Sequence, residues 1–200
     1  MEEEKYKKIV NFFFELLHLK RVPRSGLTTI GIKDIDSVAE HICVAAQIAF
    51  ILGKIEKVNA ERAALMTLFH DNGEARTFDI CLLQKIYLNN HNDAESEAFL
   101  DQINDLPAKE DIEELFQEFV DKKTPEAQIA READKLELAL QAKLYINQGH
   151  KDAQLWIDNL RPVIKSDSGK KLLEIIEKCN SNDWWRTIPE IEERINKLEK

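Results

Sequence analysis

Apolar residues recur along most of this chain every three or four positions, the spacing that places side chains on one face of an α-helix. The first such run contains Ile9, Phe12, Phe13, Leu16 and Leu17. Only six glycines and five prolines occur among 200 residues, whereas a β-sandwich or barrel needs turn residues about every 8–12 positions. The sequence therefore predicts an all-α helical bundle, and its length suits a single core.

Capping residues predict where several helices begin and end. Residues Ser37–Glu40 are typical of a capping box, and they start a helix that Gly53 is expected to end. Asn59 caps the next helix, which is expected to run to Asp71 or Asn72 with Gly73 as its stop. Thr124, followed by a proline, starts a long helix.

The remaining segments are predicted with less definition. Residues 19–34 are expected to be irregular, and 74–92 a loop with a short helix inside it. The long helix should run from 125 to about 147, and others are predicted near 3–19, 82–88, 93–104, 109–122, 151–164, 168–179 and 189–199. With no internal repeat or linker, residues 1–200 are expected to form one domain, with a core at about 8–145 and the helices of 151–199 packed on it.

Charge and cysteine content exclude several classes of protein. The net charge of −9 argues against a nucleic-acid partner, because phosphate backbones require a basic face. Three widely spaced cysteines, Cys43, Cys81 and Cys179, predict free thiols and a cytoplasmic location. The start of the chain lacks a signal-peptide pattern, and the apolar stretch Ile42–Leu52 is expected to be too short for a membrane span.

Two histidines have unusual neighbours. His41 lies in the first turn of a helix that is apolar on every side, and a buried imidazole needs partners for its ring nitrogens. His70 is followed directly by Asp71, and adjacent helical residues point about 100° apart. The doublet can therefore reach one ion only near a helix end. The alternative is a C-terminal histidine favoured by the helix dipole.

Asp134 is a carboxylate among small apolar neighbours. Ala130 and Leu138 lie four residues away on either side, and a buried acid there must be paired or bind a metal. Arg131 offers an ordinary ion pair as the alternative. Together with the two histidines and Asp71, Asp134 would make a set of two nitrogens and two oxygens. Such a set suits an octahedral divalent ion with open positions.

At this point the ordered motifs resemble a known family. The matching segments are Leu19–Gly26, Ser37–His41, His70–Asp79 and Ala133–Leu136. They are similar to the HD-domain metal-dependent phosphohydrolases, and most of all to the 5′-deoxynucleotidase group that includes the YfbR-type enzymes and HD-domain-containing protein 2. The resemblance extends over about residues 8–145.

The resemblance implies a helical fold and a site for one divalent ion (Mn, Co, Mg, Fe, Ni or Zn). The implied metal ligands are His41, His70, Asp71 and Asp134. Glu74 would handle the proton and orient the attacking water, although by itself it could be a solvated loop acid. Asp79 would contribute to catalysis or hold the sugar. Arg24 would bind the phosphate through its guanidinium fork, the alternative being a surface cation.

Two positions depart from the family pattern on the nucleoside side of the expected pocket. Ser25 replaces a bulky aromatic after the arginine, and Ile80 begins a segment where Pro-Thr residues are common. The resemblance therefore supports phosphomonoester hydrolysis more strongly than a preference for deoxyribose. His91 could suggest a second metal, but its loop context and the missing partner histidines argue against one.

Three functions are compatible with these residues. The first is removal of the 5′-phosphate from (deoxy)nucleoside monophosphates by a homodimeric enzyme, as the family implies. The second is another HD phosphohydrolase that acts on a cyclic nucleotide, a nucleoside triphosphate or an alarmone. The third is a sensor that binds metal and nucleotide without catalysis. Retention of both Glu74 and Asp79 argues against a sensor, which needs neither.

Overall fold

A computed structural model describes residues 2–198, and within this range the regular structure is helical. The α-helices, α1 to α12 in chain order, are Glu2–His18, Val38–Glu56, Ala60–Phe69, Glu74–Thr77, Leu82–Lys85, His91–Ile103, Lys109–Asp121, Pro125–Asn147, Gln154–Leu160, Asp167–Lys178, Asp183–Arg186 and Pro189–Leu198. Short 3₁₀ helices cover Leu19–Arg21, Ser25–Ile30 and Lys151–Ala153. The last residue of the predicted helix 189–199 lies outside the described range.

The core forms where α2, α3 and α8 pack against one another, with α9 and α10 against α8. Leu52 from α2, Leu136 from α8 and Ile157 from α9 are fully buried in it. Alanines such as Ala49 and Ala63 allow these helices to approach closely. Burial of each large aliphatic side chain contributes roughly 1.5–3 kcal/mol to the free energy of folding. This junction is therefore a rigid support for the side chains that project from it.

The N-terminus of α2 is fixed as the sequence predicted. The Ser37 hydroxyl accepts a hydrogen bond from the Glu40 amide at 3.3 Å, and the Ser37 amide donates to the Glu40 carboxylate at 2.7 Å. The segment before α2 is anchored to it: the Val38 amide donates to the Val22 carbonyl, and the Arg24 amide to the Asp36 carbonyl. The predicted irregular connection is therefore ordered, and it brings Arg24 beside α2.

Gly53 does not end α2, and this expectation was wrong. The helix continues to Glu56, and Lys57 adopts the left-handed conformation at φ 60°. A β-carbon on Gly53 would lie 2.8 Å from the Ala60 α-carbon. Glycine is needed here because α3 begins against this point of α2.

Gly73 was also misinterpreted from the sequence. Helix α3 ends at Phe69, and Gly73 has φ −56°, so no left-handed stop occurs there. A β-carbon would lie 2.5 Å from the Glu95 carbonyl oxygen on α6. The absent side chain thus lets α6 approach, and the short helix α4 starts at Glu74 where a loop was predicted.

Helix α2 is longer and more apolar than the stretch seen in the sequence. Over Val38–Glu56 its mean hydropathy is 1.6, which by length and composition would suffice to cross a membrane. Within the described structure 39% of that stretch is buried, and the helix packs on α3 and α8. Core helices of globular proteins meet the same criterion, and packing on α3 and α8 accounts for the buried face of α2, whereas Phe50 and Ile51 remain exposed.

Candidate active site

The four predicted metal ligands come together at the junction of α2, the end of α3 and α8. His41 Nε2 lies 3.6 Å from Asp71 Oδ2 and 3.4 Å from Asp134 Oδ1. His70 Nε2 lies 3.1 Å from Asp71 Oδ2 and 4.0 Å from Asp134 Oδ1. His70 and Asp71 follow the end of α3, in a segment of turns in which the Asn72 amide donates to the Phe69 carbonyl and the Glu74 amide to the Asp71 carbonyl.

Both imidazoles present the same nitrogen to this centre. Nε2 of His41 and Nε2 of His70 are buried without a hydrogen-bond partner. Each Nδ1 is within reach of an acceptor: Glu137 Oε2 at 2.5 Å for His41, and the Thr67 carbonyl at 2.7 Å for His70. An Nδ1–H donor leaves Nε2 with a free lone pair, which is the form that binds metals. Two such lone pairs in one buried place indicate a ligand between them.

The spacing of these atoms fits a first-row divalent ion. Donors about 2.1 Å from a common ion lie roughly 3.0 Å apart at right angles and about 4.2 Å apart when opposite. The four distances between the imidazoles and the carboxylates, 3.1 to 4.0 Å, fall within that interval. His41, His70 and Asp71 form a compact group of potential ligands, and Asp134 lies beside this group without being part of it. The residues present therefore fit the metal that the sequence predicted.

The charges around the centre favour a cation. Burial raises the pKa of Asp71, but His70, Arg24 and His41 lower it by more. The pKa of Asp134 is likewise lowered against burial, by Lys135 and the two histidines. Burial and Arg24 oppose a charge on His41, yet Asp134 and Glu137 raise the pKa of its imidazole to about 9. The carboxylates thus stabilise positive charge at this point, which a proton or a metal ion can supply.

Arg24 belongs to the site rather than to the surface. Its Nη1 lies 3.1 Å from Asp71 Oδ2 and 3.9 Å from Glu74 Oε2, and its side chain is 15% exposed. The guanidinium thus stands at the accessible side of the ligand cluster. An arginine in that position can bind a phosphate oxygen while it remains paired to Asp71.

Glu74 is buried rather than solvated. It is the first residue of α4, and its Oε2 has no hydrogen-bond partner. Burial raises the pKa of this carboxyl, and the charges of Asp71 and Asp79 raise it further. A buried acid with a raised pKa beside a cation site has the properties of a general acid or base.

Asp79, Ser25 and Ile80 lie on one side of Arg24. Asp79 Oδ2 accepts a hydrogen bond from the Ser25 amide at 2.7 Å, which links the chain after α4 to the 3₁₀ helix of Ser25–Ile30. Phe78 precedes it at φ 64°, a strained conformation for a bulky residue that turns the chain back toward the site. Arg24, Asp79 and Ile80 line a cavity of about 250 Å³.

Arg131 and His91, the residues on which two alternatives raised from the sequence depend, make other contacts. Arg131 stacks on Phe119, with 5.1 Å from its Cζ to the ring centroid, and Asp134 pairs with Lys135 at 2.9 Å instead. His91 Nδ1 contacts the Leu88 carbonyl at 2.7 Å. His91 joins no group of potential ligands within residues 2–198.

Several residues of the site were missed in the sequence. Glu137 contacts His41, and Glu95 forms a second acidic group with Asp71 and Glu74. Lys135 and Trp156 line the cavity beside Arg24. Glu137 could have been found, because it stands three residues after Asp134 on the same helix. Glu95 and Trp156 come from distant segments and give no local signal.

Comparison with known proteins agrees with this geometry. The sequence matches the HD-domain family over residues 16–176. The chain belongs to the HD-domain family. It is 28% identical over 151 residues to the human protein named 5′-deoxynucleotidase HDDC2, with 74% of each chain covered. It is 30% identical over 177 residues to 5′-deoxynucleotidase hdd1 of Schizosaccharomyces pombe, covering 82% of this chain and 89% of that one.

A solved structure shows the same architecture. A conserved hypothetical protein from Pyrococcus furiosus is similar to this chain with a TM-score of 0.69 and 30% identity. The similarity covers 84% of this chain and 97% of that one. The predicted family and the predicted all-α fold are therefore confirmed.

Proposed function

We propose that this protein is a divalent-metal-dependent phosphohydrolase that removes the 5′-phosphate from (deoxy)nucleoside monophosphates. The observation that carries the proposal is the pair of buried Nε2 atoms without partners, on His41 and His70, facing Asp71 and Asp134 beside Arg24. The relatives named 5′-deoxynucleotidase support the choice of substrate.

One divalent ion is proposed for the centre, held by His41, His70, Asp71 and Asp134. When bound, such an ion polarises a phosphoryl oxygen and makes water a better nucleophile at neutral pH. Its identity among Mn, Co, Mg, Fe, Ni and Zn depends on availability and geometry more than on the ligand types.

Glu74 and Arg24 would carry out the protein's part of the reaction. The Arg24 fork would hold two phosphate oxygens and orient the ester. The unpartnered Oε2 of Glu74 would accept a proton from the attacking water as the new P–O bond forms. The ester P–O bond then breaks, and the departing 5′-oxygen takes up the proton that Glu74 received, giving nucleoside and inorganic phosphate. Asp79 would assist catalysis or hold the sugar.

The nucleoside would lie in the cavity of about 250 Å³ beside Arg24. Asp79 and Ile80 line it, together with Trp156 from α9. A β-carbon on Gly26 would be 3.6 Å from Trp156 Nε1, so the ring lies against the segment that follows Ser25. The Trp156 indole would thus supply the aromatic contact with the nucleoside that Ser25 cannot make.

The surroundings of the enzyme are also proposed. We expect a cytoplasmic homodimer with no nucleic-acid or membrane partner. Free thiols at Cys43, Cys81 and Cys179 support the location. An apolar groove of about 570 Å³ between α2 and α3, with Phe50 and Ile51 on its rim, supports self-association.

The test is phosphate release from a panel of nucleotides after chelation and re-addition of Mn²⁺, Co²⁺ or Mg²⁺. Monophosphates should be cleaved, whereas the family alternatives predict turnover of di-, tri- or cyclic phosphates instead. Glu74→Gln should lower kcat by about 10²–10⁴-fold while metal stays bound. Binding of monophosphates without release of phosphate under every metal would favour a sensor and contradict the proposal.

A further inference from the structure

Glu137 is a buried carboxylate with one clear interaction. It lies on α8, where its side chain is 7% exposed, and its Oε2 is 2.5 Å from His41 Nδ1. Within residues 2–198 the Glu137 side chain makes no other hydrogen bond. An acid removed from water needs a strong compensating interaction, and here that interaction is with the imidazole.

We propose that Glu137 is a positioning residue that holds His41 with Nε2 directed at the metal and increases the affinity of the site for a divalent ion. The inference rests on the proposed metal centre and goes beyond it, because Glu137 belongs to none of the groups assigned to the ion, the water or the phosphate. It acts only through His41.

Helix α8 supplies two carboxylates to the site, those of Asp134 and Glu137. Residues three apart on a helix share a face, so Asp134 and Glu137 both point from α8 toward α2. Asp134 Oδ1 lies 3.4 Å from His41 Nε2, and Glu137 Oε2 lies 2.5 Å from Nδ1 of the same ring. One helix thus places a carboxylate beside each nitrogen of the imidazole, with a hydrogen bond at Nδ1 and none at Nε2.

The two histidines differ in how they are held. His70 Nδ1 contacts the carbonyl of Thr67, which is main chain in its own helix and is set by the fold. His41 Nδ1 depends on a side chain 96 positions away. A carboxylate acceptor also makes the imidazole a stronger electron donor than a carbonyl does. Only the His41 interaction can be removed by substitution, and this makes the inference testable.

Glu132 provides the contrast needed to separate positioning from simple stability. It lies on the same helix and is similarly buried: the whole residue is 3% exposed, against 5% for the whole of Glu137. Its carboxylate accepts hydrogen bonds from the amides of Lys165 and Ser166, at 2.8 and 2.9 Å. Those bonds fix the chain before α10, and none of them reaches a metal ligand.

The experiment compares wild type with Glu137→Gln, Glu137→Ala and Glu132→Gln. Dissociation constants for Mn²⁺ and Co²⁺ would be measured by competition with a chelator, and the visible spectrum of bound Co²⁺ would be recorded. Urea unfolding without metal would report stability. We expect Co²⁺ binding to weaken about 10-fold in Glu137→Gln and up to about 100-fold in Glu137→Ala, with an altered Co²⁺ spectrum. Glu132→Gln should lose stability but keep wild-type affinity and spectrum.

The outcomes separate this inference from the proposed function. Equal metal affinity and an unchanged Co²⁺ spectrum in wild type and Glu137→Gln would overturn the role of Glu137, whatever the nucleotidase assay shows. If Glu137→Ala does not fold, Glu137→Gln alone decides whether Glu137 positions His41. This variant keeps the size of the side chain and replaces the charged acceptor with a neutral one. Failure of the wild type to bind either ion would instead remove the metal centre itself. Similar losses of metal affinity in Glu132→Gln and Glu137→Gln would mean that Glu137 acts only through the stability of the fold, which would contradict its role in positioning His41.

Discussion

Gly73→Ala tests whether close helix packing holds the catalytic segment in place. The new β-carbon would lie 2.5 Å from the Glu95 carbonyl oxygen and 3.3 Å from its carbonyl carbon. Both are main-chain atoms of α6, so relief requires α4 and α6 to separate by roughly 0.7 Å. Overpacking of this kind costs about 1–3 kcal/mol. Gly73 precedes the first residue of α4, a position where alanine is no more favourable than glycine, so this cost is not offset and the expected loss is about 1–3 kcal/mol.

The same shift should damage the site, because Gly73 separates Asp71 from Glu74. A displacement of about 1 Å can cost on the order of 10²-fold in rate. Urea unfolding, Co²⁺ affinity and phosphate release would be measured on Gly73→Ala and on Gly149→Ala as the control. Gly149 has φ +108° with nothing within 4 Å of a β-carbon, so that variant should lose stability but keep the site. A Gly73→Ala protein as stable and active as wild type would refute the reasoning.

Three further predictions concern charge and the cavity. Burial, with the charge of Glu137, raises the pKa of Asp36 to about 6, so the stability it contributes is complete below about pH 4 and is lost as pH rises through 6. The free energy of unfolding should therefore fall by about 1–2 kcal/mol less between pH 4 and pH 7 in Asp36→Asn than in wild type, after allowance for screening. Urea unfolding at several pH values would measure this, and the same pH dependence in both proteins would contradict the prediction. Arg24→Lys should raise KM for monophosphates about 10-fold, since a lysine cannot bind two oxygens at once; unchanged kinetics would place the phosphate elsewhere. Trp156→Ala should raise KM for nucleotides about 10-fold but leave p-nitrophenyl phosphate unaffected, and equal effects on both substrates would remove the indole from the nucleoside pocket.

Local sequence signals predicted the parts of the fold that depend on neighbours in the chain. The capping box at Ser37 and the cap at Thr124 fix the starts of α2 and α8 where they were expected. Because these starts are fixed, His41 falls in the first turn of α2 and Asp134 on the inner side of α8. The motif match then grouped the four candidate ligands, of which His41, His70 and Asp71 lie in one compact group with Asp134 beside it.

The features that the sequence did not predict depend on contacts between distant segments. Gly53 and Gly73 look like helix stops in a single sequence, but their purpose is to admit Ala60 and Glu95 from other helices. Trp156 likewise reaches the cavity only because α9 packs on α8. Such requirements are set by packing, so no spacing rule within one helix could reveal them.

The most direct test of the central claim is the anomalous scattering of crystals grown with Mn²⁺ or Co²⁺. One strong peak per chain is expected, within about 2.0–2.3 Å of His41 Nε2, His70 Nε2 and carboxylate oxygens of Asp71 and Asp134. Its occupancy should fall in Glu137→Gln crystals at limiting metal. A peak bound elsewhere, or none at saturating metal, would contradict a metal centre at this junction.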